Sequence, residues 1–182
     1  MTKHKLSSRD ISVSAMGTVI IILCSWISIP TLVPITMQTF GVFLVSLVLG
    51  KRRTMFSLLG YCLLGVVGLP VFAGFKSGAA VLAGPTGGFI LGLFAVPIIM
   101  GYFQYKNYEK WMFPAIIIGI MAMYIAGTLW YVVIYNQGNV DFKSAVSVCI
   151  VPFIIPDLIK CILATMCAKK LKKSQFLLTK HF

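Results

Sequence analysis

The sequence predicts an all-α integral membrane protein of six transmembrane helices, joined on one side by partly irregular loops that fold inward. Three observations carry that prediction. Hydrophobic residues make up 59% of the 182-residue chain and charged residues only 11%, against about 45–50% and 25% in soluble domains. The mean hydropathy is +0.95. The basic residues fall in short clusters between apolar runs, as in membrane proteins whose cytoplasmic loops collect Lys and Arg. At roughly 20 residues per span, six helices use nearly all of residues 1–182 as a single membrane domain. Little is left for a soluble catalytic or nucleotide-binding unit. The net charge of +12 belongs to these clusters and does not form a nucleic-acid surface.

Span one is expected at residues 11–29, stopped by Pro30. A basic stretch with Lys3, Lys5 and Arg9 precedes it, but no small-x-small cleavage site follows, so it is read as a mature helix. Ser14, Ala15 and Thr18 share one face with Gly17 nearby, and small residues at that spacing let another helix approach. That helix could be internal or belong to another subunit. Residues 30–38 hold two prolines and cannot continue the helix. They are too apolar for a solvated loop, so they should fold inward, with Gln38 offering an amide donor and acceptor. Span two, at 39–50, is short and ends at Gly50 and Lys51-Arg52-Arg53; span three follows at 55–69.

Residues 69–88 are glycine-rich and lead into span four at 85–103. In Gly84-Pro85-Thr86-Gly87-Gly88, glycines allow backbone to approach a ligand, and the first N–H groups of a helix can bind anions or carbonyls. The alternative is close helix packing through Gly88-x-x-x-Gly92. Lys76-Ser77 lacks the glycine frame of a nucleotide-binding loop, so the chain is not expected to hydrolyse ATP or to act as an enzyme. Span five covers 111–135, and its outer aromatics form either an interfacial belt or, at Tyr124 or Trp130, a platform for a ligand ring. Span six covers 145–168 and is followed by a run of lysines. The five cysteines (24, 62, 149, 161 and 167) form no C-x-x-C pair and read as reduced, apolar core residues. His4 and His181 sit in the polar ends, so neither a metal nor a cofactor is expected in this chain.

Asp157 and Lys160 are the only charges in the run from Ala145 to Ala168. Each costs at least about 2.5–3.5 kcal/mol at a helix centre on insertion scales. Their i, i+3 spacing puts them on one helical face. A self-neutralising structural pair is one reading; a site for a polar solute is the sharper one, since intramembrane charges usually mark a substrate or ion path. Pro156 favours the second, because it removes an N–H and frees a carbonyl one turn earlier.

Five segments carry a resemblance: residues 34–39, 68–74, 84–88, 127–130 and Pro156-Asp157-Leu158-Ile159-Lys160. Together they resemble the BioY family, the biotin-binding substrate subunits (S components) of energy-coupling factor (ECF) transporters. The resemblance implies a six-helix S-component fold that captures biotin outside, and partners comprising a membrane coupling subunit and two cytoplasmic ATPases. It places Ser14, Ala15 and Thr18 towards the coupling subunit. The alternative is an S component or stand-alone carrier for another small vitamin-like carboxylic acid. For biotin, Lys160 could neutralise the carboxylate while Asp157 accepts a urea N–H, or both could hold the urea. Gln38, Thr86 and the backbone of 84–88 could complete the polar contacts, with Val71, Phe72, Phe153 and Tyr124 forming walls.

Counting basic residues sets the orientation. With the N-terminus inside, 13 of the 16 lie on the cytoplasmic side, Lys76 and Lys143 lie outside, and Lys160 is intramembrane. Such asymmetry fixes topology in a cell membrane, with both termini cytoplasmic. A cysteine introduced at Arg52 on a cysteine-free background should therefore resist impermeant thiol reagents in intact cells. Labelling of that position from outside would reverse the orientation.

Overall fold

A computed structural model describes residues 7–104 and 108–179. The expectations for Lys3, Lys5, Lys106, Lys180 and both histidines lie outside the described residues, as does that for the side chain of Lys110. Among the described residues twelve elements follow one another, beginning with helix α1, Ser8–Trp26. The Ser7 N–H donates to Asp10 Oδ2 at 3.3 Å across its first turn. Asp10 in turn holds Arg53, whose Nε and Nη2 both lie 2.8 Å from Oδ1. The basic corner is thereby tied to the start of α1.

Helix α1 ends earlier than the expected residue 29, and pairing explains why. Residues 28–29 (β1) and 35–36 (β2) form an antiparallel hairpin, with Ser28 opposite Thr36 and Ile29 opposite Ile35. The Met37 N–H closes it onto the Ile27 carbonyl at 2.9 Å. Both prolines fall in or beside the hairpin loop, where no ladder donor is needed. Val33 is buried, so the segment does fold inward.

Expected spans two and three are the halves of helix α2, Gln38–Val67, broken at Gly50. There φ is +80° and ψ 172°, a conformation open to glycine and strained for other residues. The second half stops at Gly68, whose φ of +109° and N–H bond to Gly65 O make a left-handed cap. A 3₁₀ turn (Ala73–Phe75) and the short helix α3 (Ala79–Ala83) fill the glycine-rich loop. Expected span four is interrupted too, as α4 (Gly87–Gly92) and α5 (Ala95–Gln104). Helix α6, Tyr108–Leu129, runs on as a π-helical turn, Trp130–Tyr135. Expected span six is α7 (Phe142–Cys149) and α8 (Val151–Thr179), parted at Ile150. Among the described residues, 8–26, 111–135 and 142–173 are long and apolar enough to cross a membrane. The first half of α2 is well short of the roughly 20 residues a full span needs.

Large apolar side chains cover the outer faces: Val67, Ile155 and Met16 are 81%, 71% and 66% exposed. In water such a surface would aggregate; in lipid it is the expected exterior. Cys167 also stands on that exposed face, so it is not a core residue as expected.

The small-residue face of α1 has an internal neighbour, the second half of α2. Ser14 and Thr18 are buried against the second half of α2. Thr18 Oγ1 lies 3.0 Å from the Ser57 carbonyl, and Ser57 Oγ lies 2.8 Å from the Ser14 carbonyl. A Cβ at Gly17 would come within 2.4 Å of Ser57 Oγ. All three also border a shallow apolar groove with Val19, Phe56 and Leu63, in which Ala15 is exposed.

Candidate functional site

Helices α2, α6 and α8 converge on a cavity of about 300 Å³, at the small end of the range for small-molecule sites. Its floor is polar. Asp157 and Lys160 are 1% and 5% exposed, and Lys160 Nζ lies 2.8 Å from Asp157 Oδ1. Pro156 lies within α8, and the pair sits on the first turn after it. Thr39, at the start of α2, donates from Oγ1 to Asp157 Oδ1 at 2.9 Å and accepts from Lys160 Nζ at 3.2 Å. Tyr124 on α6 donates its hydroxyl to Asp157 Oδ2 at 2.7 Å. One carboxylate thus receives three donors from three helices, the arrangement that makes a buried charge tolerable.

The walls are aromatic. Phe89 stacks on Phe153 with centroids 6.2 Å apart, and Tyr61 meets Phe72 edge-on at 5.3 Å. Phe72 is seated because Gly65 has no side chain; a Cβ there would lie 2.1 Å from its ring. The loop bearing Phe72 is pinned from α1. Trp26 Nε1 donates to the Pro70 carbonyl at 2.8 Å, Ser25 Oγ donates to the Val71 carbonyl, and Trp26 packs on Phe75 at 5.1 Å. The β1–β2 hairpin contributes Val33 and Pro34 to the rim.

Of the residues singled out from the sequence, Gln38, Phe72, Gly84, Pro85, Thr86, Tyr124, Phe153, Asp157 and Lys160 border this cavity. Gly87 and Gly88 do not. They serve packing, the alternative reading: a Cβ at Gly87 would fall 1.8 Å from the Leu82 carbonyl oxygen, and one at Gly88 would fall 2.1 Å from Trp130 Cβ. Gly92 meets Met123 in the same way, so the Gly88-x-x-x-Gly92 face is what lets α4 lie on α6. Several N–H groups here are engaged within the backbone. Those of Gly84 and Gly87 donate to Val81 O and Gly84 O, and those of Phe89 and Ile90 to Thr86 O. Trp130 Nε1 caps the Gly84 carbonyl at 3.0 Å, so Trp130 braces the loop instead of stacking on a ligand. Val71 is buried behind the wall, held through its carbonyl.

Sequence reasoning missed Thr39, Tyr61 and Lys76, all of which line the cavity. Thr39 carried a signal, a hydroxyl following Gln38 at a helix start, but its partners lie more than a hundred residues away. Two polar groups remain on the wall: Gln38 Nε2 and the Tyr61 hydroxyl are buried near one another and make no hydrogen bond of ordinary geometry among the described residues. A buried donor without an acceptor is costly, and a bound polar solute can supply one.

An aromatic-walled cavity with a charge-paired floor, set among lipid-exposed helices, defines a membrane-embedded binding protein for a small polar molecule. The chain belongs to the BioY family, whose model matches residues 1–175. It is 40% identical over 167 residues to "Biotin transporter BioY" of Thermotoga maritima, covering 91% of this chain and 96% of that protein. It is likewise 40% identical over 169 residues to "Biotin transporter BioY2" of Lactococcus lactis subsp. cremoris, covering 91% and 90%. Its fold is similar to the crystal structure of "the S-component for biotin from an ECF-type ABC transporter", with a TM-score of 0.81 and 26% identity over 93% of this chain and 95% of that one.

The floor predicts a particular pattern of stability. Removing one partner of a buried pair typically costs about 3–5 kcal/mol, because the other charge is left uncompensated. Lys160→Met and Asp157→Asn should each melt well below the wild type in detergent without ligand. The double variant should recover most of that loss. A double variant as unstable as the worse single one would show that the two charges do not compensate each other.

Proposed function

We propose that this chain binds biotin from the outer side of the membrane and delivers it inward as the substrate-specific subunit of an ATP-driven ECF transporter. The buried Asp157–Lys160 pair at the floor of the cavity carries this reading, supported by relatives named as biotin transporters. Biotin presents a urea, an apolar bicycle and a carboxylate on a flexible chain. The urea needs acceptors for its N–H groups and donors for its oxygen, and the floor has both. Asp157 offers lone pairs of its two oxygens, and Lys160 has three N–H bonds of which two are engaged. The bicycle would lie between the aromatic walls, where apolar area is removed from lipid and water alike. Relatives named for biotin favour it over another small vitamin-like acid.

No step in this chain is chemical, and no cofactor is invoked for it. The energy is supplied in trans: the partners would be a membrane coupling subunit and two cytoplasmic ATPases. The basic clusters at 51–53 and 169–173 would then face the cytoplasm and the hairpin and glycine-rich loop the outside, with both termini inside.

Equilibrium titration tests the reading. Wild-type chain should bind biotin, whereas Asp157→Asn and Lys160→Met should lose on the order of a hundred- to several-thousand-fold in affinity, at about 3–5 kcal/mol and 1.4 kcal/mol per decade. The double variant should stay weak even though its stability returns. Wild-type affinity in the double variant would make the pair structural only. ATP-driven uptake should require the partner module.

A further inference from the structure

We infer that Lys76, on the outer loop, is the residue that recognises the ligand's carboxylate and so selects the acid over its neutral derivatives. The inference rests on the biotin reading above and departs from the arrangement in which Lys160 meets the carboxylate. Charge at the floor is already balanced: Lys160 Nζ lies 2.8 Å from Asp157 Oδ1. A ligand carboxylate brought to Lys160 would therefore come up against the carboxylate of Asp157 in a site nearly closed to water, where like charges repel strongly. The urea carries no such penalty.

Lys76 differs in each respect. It borders the same cavity from the side of the glycine-rich loop, its residue is exposed, and no carboxylate among the described residues lies within ion-pair distance of it. Counting Asp157, Lys160 and Lys76 as the charged residues lining the cavity, the wall carries one net positive charge, matching a monoanion. Its position is fixed by backbone and not by its side chain. The Lys76 carbonyl accepts from the Phe72 N–H at 3.0 Å, so the lysine stands directly across from the ring that forms one wall. The next turn is anchored too, with the Gly78 N–H on Gly65 O at 2.8 Å. The ammonium can thus rest at the mouth, where a flexible acid chain would end, while the bicycle and urea fill the depth.

Titration of biotin and biotin amide against wild type, Lys76→Gln and Lys160→Met tests this. Because Lys76 is exposed, the variant should keep the wild-type melting temperature. Wild type should prefer biotin, and Lys76→Gln should lose roughly fivefold towards biotin, the upper end for solvent-accessible pairs. Its affinity for the amide should be unchanged, so the preference collapses. Lys160→Met should weaken both ligands by the same factor. A preference that survives in Lys76→Gln, disappears in Lys160→Met or is absent from wild type would overturn the assignment. Failure of wild type to bind biotin at all would instead overturn the function itself.

Discussion

The structure depends on a pair of charges that cannot be left alone in the membrane. Asp157 and Lys160 lie one turn apart on α8, nearly inaccessible to water, and neither could be buried there without the other. The pair is not self-sufficient. Lys160 takes one acceptor site on Oδ1, and Thr39 from α2 and Tyr124 from α6 take two more, leaving the carboxylate one site of about four for a solute. The floor can form only when all three helices are in place, so burial of charge and convergence of helices are one event.

Much of the remaining architecture keeps those helices in position. Gly88 and Gly92 let α4 lie close on α6, the helix that presents Tyr124. Gly50 breaks α2 so that the segment beginning at Thr39 and the segment bearing Tyr61 can both border the cavity. Helix α1 packs on α2 through Ser14, Gly17 and Thr18, and its last turn reaches over to hold the loop that carries Phe72 and Lys76. A floor hydrogen-bonded from three helices is therefore faced by a loop held from α1 and from the second half of α2. That division suits a binding protein, whose recognition groups must be preorganised while its entrance admits the solute.

The sequence made some of this plain and hid the rest, for physical reasons. Two charges in an apolar run are conspicuous because lipid penalises them whatever the fold, and the lopsided basic clusters are conspicuous because topology is set by counting. Glycine is ambiguous: the same absence of a side chain admits a ligand at one position and a helix at another. Gly84 borders the cavity, whereas Gly87 and Gly88 are taken by Leu82 and Trp130, and only the tertiary contact decides between them. Ser14 and Thr18 carried the same ambiguity and resolved inward. Thr39 escaped notice because a threonine at a helix start is ordinary until its partners at 157 and 160 are known. The break at Gly50 is legible because a glycine and the Lys51-Arg52-Arg53 cluster end an apolar run there, whereas the break at Ile150 is hidden inside an apolar run that reads as one continuous span.

The most direct test is a crystal structure of the chain with biotin bound. The ureido group should lie within hydrogen-bonding distance of the Asp157 carboxylate and the Lys160 ammonium, with the acid chain directed towards the loop at residue 76. Density placing the biotin carboxylate against Lys160, or the bicycle outside the Phe72–Phe153 walls, would contradict a floor built to hold the urea.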